Sequence, residues 1–138
     1  MLVNQFNALK FENCKIQSAV HKSLFEPKPS TSSPYTYHEI PGIVFGSDYD
    51  LGGQGVGYYD SDYKNTSGGA YNSGWSYRND GVDIERCSDF IRNGYNVCWI
   101  ESGEWLKFTV NIVDSGFYKI DFRFASTTSD GIFLLSLG

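Results

Sequence analysis

The sequence predicts an all-β domain, a sandwich or barrel of short strands. Three observations point there. Aromatic residues make up 17% of the chain and glycines number 15, a mixture that favours strands and turns over helices. From Val82 onward, stretches of alternating apolar and polar residues recur at short intervals. Turn signals separate them: Asn93-Gly94, Asp114-Ser115-Gly116 and Ser129-Asp130-Gly131.

Residues 1–36 read as an N-terminal segment and linker, and residues 1–26 have a different texture from the rest. Leu2, Phe6 and Leu9 begin an amphipathic helical pattern that does not persist, and residues 26–34 (EPKPSTSSP) read as a linker. A domain over residues 37–138 is expected after it. Residues 43–45 are a short apolar run, and residues 48–80 form a long region rich in Gly, Asp, Asn, Ser and Tyr, with Tyr58 and Tyr59 expected to pack beneath it. Residues 82–87 alternate as a strand, Asn93-Gly94 turns the chain, and residues 95–100 return. Over residues 105–113 the two-residue side-chain period puts Leu106, Phe108, Val110 and Ile112 on a core face. Trp105, Lys107, Thr109 and Asn111 then face solvent. Residues 117–125 repeat the pattern, with Tyr118, Ile120, Phe122 and Phe124 inward and Lys119, Asp121 and Arg123 outward. Residues 132–137 are apolar on both faces, as for a strand inside a sandwich. No turn or cap follows before Gly138, so the sequence is expected to end within the domain.

Charge and composition narrow the function. A net charge of −5 and a pI near 4.8 argue against a nucleic-acid surface and suit a neutral partner. No run of 18 apolar residues is present, so no spanning helix is expected, and no signal peptide is visible. The three cysteines, Cys14, Cys87 and Cys98, form no CxxC pair. Cys87 and Cys98 flank one predicted turn and read as small half-buried residues. With only His21 and His38 beside them, thiolate metal binding is not expected.

Catalytic signatures are lacking: no GxSxG, HExxH or P-loop occurs. The run GGQGVG at 52–57 reads as a turn. Asp60-Ser61-Asp62 starts like a calcium loop, but Lys64 stands where an oxygen ligand is needed. Glu101 and Glu104 resemble a glycosidase acid/base pair only in type, since three residues apart across a tight turn they read as exposed charges. Asn65-Thr66-Ser67 matches a glycosylation sequon of a kind common by chance.

Several blocks then occur in one order: IPG at 40–42, DYD at 48–50, GGQGVGYYD at 52–60, GGAY at 68–71, GVDIE at 81–85, YNVCW at 95–99 and GEWLKFTVNI at 103–112. Together they resemble the carbohydrate-binding modules of family 6 over about residues 40–138. The resemblance implies a β-sandwich of jelly-roll type, incomplete here at its C-terminal end. It also implies non-catalytic binding of a polysaccharide such as xylan, β-glucan or agarose, as an accessory to a secreted glycan-degrading enzyme. The expected protein is a monomer with no nucleic-acid or membrane partner. A structural or adhesion β-sandwich without sugar binding is the alternative.

The resemblance also places the carbohydrate-binding residues. Trp99, in YNVCW, would stack on a sugar in a loop-edge site, and Glu85, in GVDIE, would add polar contacts. Trp105, in GEWL, would serve a second site on the sheet face. Indole suits the C–H faces of a sugar ring, and placed acceptors suit its hydroxyls. The family's second loop-site aromatic and its Asn belong to strands after Gly138. No cofactor is expected: Phe45 and Ser47 replace the usual ligands of the family's structural calcium. Residues 72–80 are longer than the family norm and add Trp75 and Tyr77, expected as loop packing.

Overall fold

The computed structural model describes residues 30–61, 77–78, 80–91, 93–128 and 131–138. Cys14, His21, Asn65 and Trp75 lie outside the described residues. The architecture is all-β, and among the described residues the only helical element is a 3-10 turn, Gly46–Asp48. Among the described residues six short strands form three pairs. Strand β1 (Glu39–Ile40) runs parallel to β6 (Asn111–Ile112). Strand β2 (Tyr58–Tyr59) is antiparallel to β5 (Trp105–Leu106), and β3 (Ile84–Arg86) is antiparallel to β4 (Tyr95–Val97).

Among the described residues, Tyr49, Tyr58, Val82 and Ile84 are the buried apolar ones, with Tyr77, Tyr95, Val97, Leu106 and Phe108 packed against them. The predicted alternation explains the membership. In β3 and β4, Ile84 opposes Val97 on the inner face, while Glu85 opposes Asn96 on the outer one. Leu106 and Phe108 are half-buried as expected, but Val110 and Ile112 in the same phase are exposed.

Residues 105–113 do not form the single strand that their pattern predicts. Their middle is held by a loop. The Asp50 amide donates to the Lys107 carbonyl at 2.7 Å, and the Lys107 amide donates to the Gly57 carbonyl at 3.0 Å. The fully buried Asp50 carboxylate accepts from both the Thr109 amide and its hydroxyl, each at 2.7 Å. A side chain thus occupies a position that a neighbouring strand's carbonyl would take, which divides the ladder into β5 and β6. Gly57 permits this approach: a Cβ there would meet the Asp50 oxygen at 2.6 Å.

The Asn93-Gly94 signal is used differently from the prediction. The chain between β3 and β4 spans residues 87–94, longer than the two-residue connection that Asn-Gly favours. Gly94 still supplies a positive φ, +101°. The Asn93 amide instead donates to Ser47 Oγ at 2.8 Å and to the Asp48 carboxylate at 2.9 Å, and its Oδ1 accepts from the Tyr95 amide at 3.1 Å. Asn93 therefore ties the β3–β4 loop to the 3-10 turn. Tyr77 joins the cluster, its hydroxyl donating to Asp48 and its ring stacked on Tyr95 at 4.5 Å between centroids. His38 is buried here, with its Nε2 3.3 Å from the Asp48 carbonyl and its ring edge-on to Phe108.

A second buried polar cluster centres on Arg78, only 3% exposed. It donates to the Asp80 carboxylate and to the carbonyls of Tyr49 and Asp50. Tyr49 also donates to Asp80. Ser33 pairs with Leu51 through two backbone hydrogen bonds, of 3.1 and 2.8 Å. This brings Tyr35 edge-on to Tyr77 and over the Arg78 guanidinium.

Residues 117–125 and 132–137 lie outside any ladder among the described residues. Tyr118, Ile120, Phe122 and Phe124, predicted inward, are exposed, Phe122 to 60%. An alternating pattern fixes which side chains share a face, but burial needs a second layer, and no described residues supply one. Phe124 and Phe133 pack on each other, and Arg123 pairs with Asp89 of the 87–94 loop.

Candidate functional site

The β2–β5 ribbon presents two different faces. Tyr58 and Leu106 are opposed on the inner side, and Tyr58 is buried. Tyr59 and Trp105 are opposed on the outer side, 43% and 41% exposed. Directly opposed residues of an antiparallel pair project from the same face with Cβ atoms about 5 Å apart. The predicted exposure of Trp105 is found, and Tyr59 lies beside it instead of packing beneath a loop. Sequence reading missed Tyr59 as a candidate because the β2–β5 register is a long-range fact.

The acidic turn at 101–104 fixes this ribbon. The Glu104 carboxylate accepts from the Ser61 amide at 2.9 Å, the Ser61 hydroxyl at 2.9 Å and the Glu101 amide at 3.0 Å. Glu101 accepts from the same hydroxyl at 2.7 Å. Both glutamates thus clasp Ser61, two residues beyond β2, to the turn before β5; Glu101 is exposed as read from the sequence, while Glu104 is half-buried. The Glu104→Ala variant should lose about 1 kcal/mol of stability, because three donors on an exposed surface return to water. A urea titration reads this, and an unchanged midpoint would refute the clasp.

Trp99 is exposed for a different reason. Tyr95 and Val97 face the core, so continued alternation would send Trp99 inward as well. Its φ is +47°, and it is the one non-glycine residue with positive φ among those described. That conformation is an outlier for a bulky side chain. It breaks the strand phase just after the Cys98 amide donates to the Asp83 carbonyl at 3.0 Å, and Trp99 emerges 55% exposed. Strain of this kind costs on the order of 1–3 kcal/mol and gathers at functional positions.

Glu85 is exposed on the outer face of β3, where the Asn96 side-chain amide donates to its carboxylate at 3.1 Å. Asn96 is a second polar candidate that sequence reading passed over. It became visible once the β3–β4 register paired it with Glu85. Cys98 is half-buried between these positions and faces the Asp83 carbonyl. Cys87 and Cys98 are both free thiols.

Two groups of this region bear on alkaline stability. Burial, then the charges of Glu85 and Asp83, push the Cys98 thiol from 9.0 up to about 12. Burial, then Asp80, pushes Tyr58 from 10.0 up to about 12. Each group is neutral when protonated, and the folded chain holds its proton more tightly than the unfolded chain. Stability from both is therefore complete below the unfolded values and is lost as pH rises through the folded ones. The urea midpoint should hold below about pH 9 and fall from there toward pH 12. In Cys98→Ala the fall should begin nearer pH 10, the ordinary tyrosine value. A midpoint flat across this window would refute the assignment.

Among the described residues no group of three or more His, Cys, Asp or Glu could hold a metal ion. Where the family resemblance implies calcium, Ser47 and Asp48 hydrogen-bond with Asn93 and Tyr77. No helix among the described residues is long and apolar enough to cross a membrane.

The segment carrying β3 to β6, with Glu85, Asn96, Trp99 and Trp105, corresponds to a known family. Residues 73–138 match the carbohydrate binding module (family 6). Over these residues the chain is similar to the family 6 carbohydrate-binding modules, a family of non-catalytic β-sandwich binding domains. No curated protein matches the chain.

Proposed function

We propose that the protein binds a neutral polysaccharide by stacking sugar rings on exposed indoles, as the accessory module of a secreted glycan-degrading enzyme. The observation that carries the reading is the exposure of both tryptophans of the family segment, Trp99 at 55% and Trp105 at 41%. Tryptophan is highly buried on average, and each of these is held outward by a specific local device. For Trp99 the device is a left-handed backbone, and for Trp105 it is the outer phase of a clasped ribbon.

Two sites follow. At the loop edge, Trp99 stacks on a ring while Glu85 and Asn96 exchange hydrogen bonds with hydroxyls. On the ribbon face, Trp105 and Tyr59 form a platform for a second stretch of chain. Neither site carries a basic patch, in keeping with a net charge of −5 and an uncharged glycan. The protein is taken to act outside the cell as a monomer and to leave hydrolysis to a partner domain.

Affinity electrophoresis through gels containing xylan, β-glucan or agarose tests the proposal. Retardation in at least one of these gels is expected. Migration unchanged in all three would sink the proposal and leave a structural or adhesion role.

A further inference from the structure

The inner side of the β2–β5 ribbon opens onto a cavity of about 370 Å³. It lies among Tyr35, Tyr58, Tyr77, Arg78, Asp80 and the Leu51–Gly53 backbone. This volume falls within the ~300–1,000 Å³ range of small-molecule sites. Tyr35 and the 51–53 backbone precede the segment that matches the family. The cavity also faces away from the Tyr59–Trp105 platform, since Tyr58 and Tyr59 project from opposite sides of β2.

We infer that this cavity is a further saccharide subsite that takes one neutral sugar unit; the inference rests on the carbohydrate-binding reading above. Charge decides the ligand class. The Arg78 guanidinium turns its donors to Asp80 and to the Tyr49 and Asp50 carbonyls. Its carbon lies 4.5 Å from the Tyr35 ring centroid and 3.5 Å from that of Tyr49. The cation is thus committed to its own neighbours and offers no fork to a phosphate or carboxylate ligand. The pair it forms with Asp80 is neutral overall. A cation gains little there for the same reason.

What the walls do offer is aromatic surface from the half-buried Tyr35 and Tyr77 together with the rim of a carboxylate. The Asp80 side chain is 20% exposed, and its carboxylate already accepts from Arg78 and Tyr49, so a ligand hydroxyl would add to these bonds through a remaining lone pair. Apolar ring faces beside a fixed acceptor are the two features a pyranose recognises. Gly53 keeps the wall open: it has φ +80°, and a Cβ there would meet nothing within 4 Å.

Two substitutions in the whole chain test the subsite, read by affinity electrophoresis on whichever of xylan, β-glucan or agarose retards the unmodified protein. Gly53→Asn adds a side chain at the open wall, in a conformation that Asn tolerates. Tyr35→Leu keeps an apolar side chain and removes the aromatic face. Each should lower the association constant by roughly three- to tenfold. The thermal midpoint of Gly53→Asn should fall only slightly, because φ +80° strains a side chain but Asn bears that strain better than most residues. If Tyr35→Leu lowers that midpoint, Gly53→Asn alone decides. Unchanged binding in Gly53→Asn, with binding lost in Trp99→Ala or Trp105→Ala, would overturn the subsite and leave the carbohydrate-binding reading intact. No retardation of the unmodified chain in any gel would overturn both.

Discussion

The Trp99→Ala variant is expected to lose glycan retardation, with affinity reduced by ~30-fold or more. Truncating a tryptophan at the centre of a binding site typically costs about 2 kcal/mol or more, and each 1.4 kcal/mol is about a factor of ten. The effect should be large because few groups share the work. Glu85 and Asn96 orient hydroxyls, but neither presents a face to a sugar ring. Trp99→Phe should retain part of the binding, since a smaller ring still stacks. The backbone supplies an independent reading of the same residue. At φ +47° a glycine avoids the steric penalty that a tryptophan bears. Trp99→Gly should therefore lose binding while stability holds or rises by up to ~1 kcal/mol, measured by urea denaturation. A marked loss of stability in Trp99→Gly would show that the indole is held for packing. Lost retardation in Trp105→Ala, with Trp99→Ala unaffected, would move the binding to the ribbon face.

The second large effect is on folding. Arg78→Met should destabilise the protein by about 3–5 kcal/mol, the usual cost of removing one partner from a buried ion pair. The guanidinium compensates Asp80 and satisfies the Tyr49 and Asp50 carbonyls at once. Methionine fills some of the volume and satisfies none of these. Against a typical total of about 5–15 kcal/mol for a domain, such a loss is severe. Adding Asp80→Asn should recover part of it, because the uncompensated charge is gone and an oxygen remains for the Tyr49 hydroxyl. Urea titrations of the single and double variants measure both terms. A loss below about 1 kcal/mol in Arg78→Met would mean that the cluster is solvated in practice.

How much of this was legible in the sequence depends on the range of the forces involved. The β3–β4 pairing, the exposure of Trp105 and the outer phase of Glu85 follow from a two-residue period, which is local. The same logic misled at three places. It made one strand of residues 105–113, where a carboxylate fifty-nine positions away, that of Asp50, occupies the ladder. It gave Asn93 to a tight turn, where the side chain is spent on Ser47 and Asp48. It sent Phe122 and Phe124 inward, where burial requires a facing layer. Tyr59 and Asn96 escaped notice because only cross-strand register sets them beside Trp105 and Glu85.

The sequence by itself determined an all-β chain, an acidic surface suited to an uncharged partner, and the order of blocks that marks the family. Alternation, composition and motif order are properties of neighbours along the chain, and they survive without coordinates. Only the tertiary structure decided how the aromatic residues are presented. Phase alone would bury Trp99 with Tyr95 and Val97, and a single left-handed residue turns it out. Tyr59 and Trp105 become one surface through pairing, while Tyr35, Tyr58 and Tyr77 surround one cavity through the Ser33–Leu51 bridge and the Arg78 cluster. Those outcomes depend on contacts between distant residues and on which polar group reaches a buried partner first, and neither is a local property of the chain.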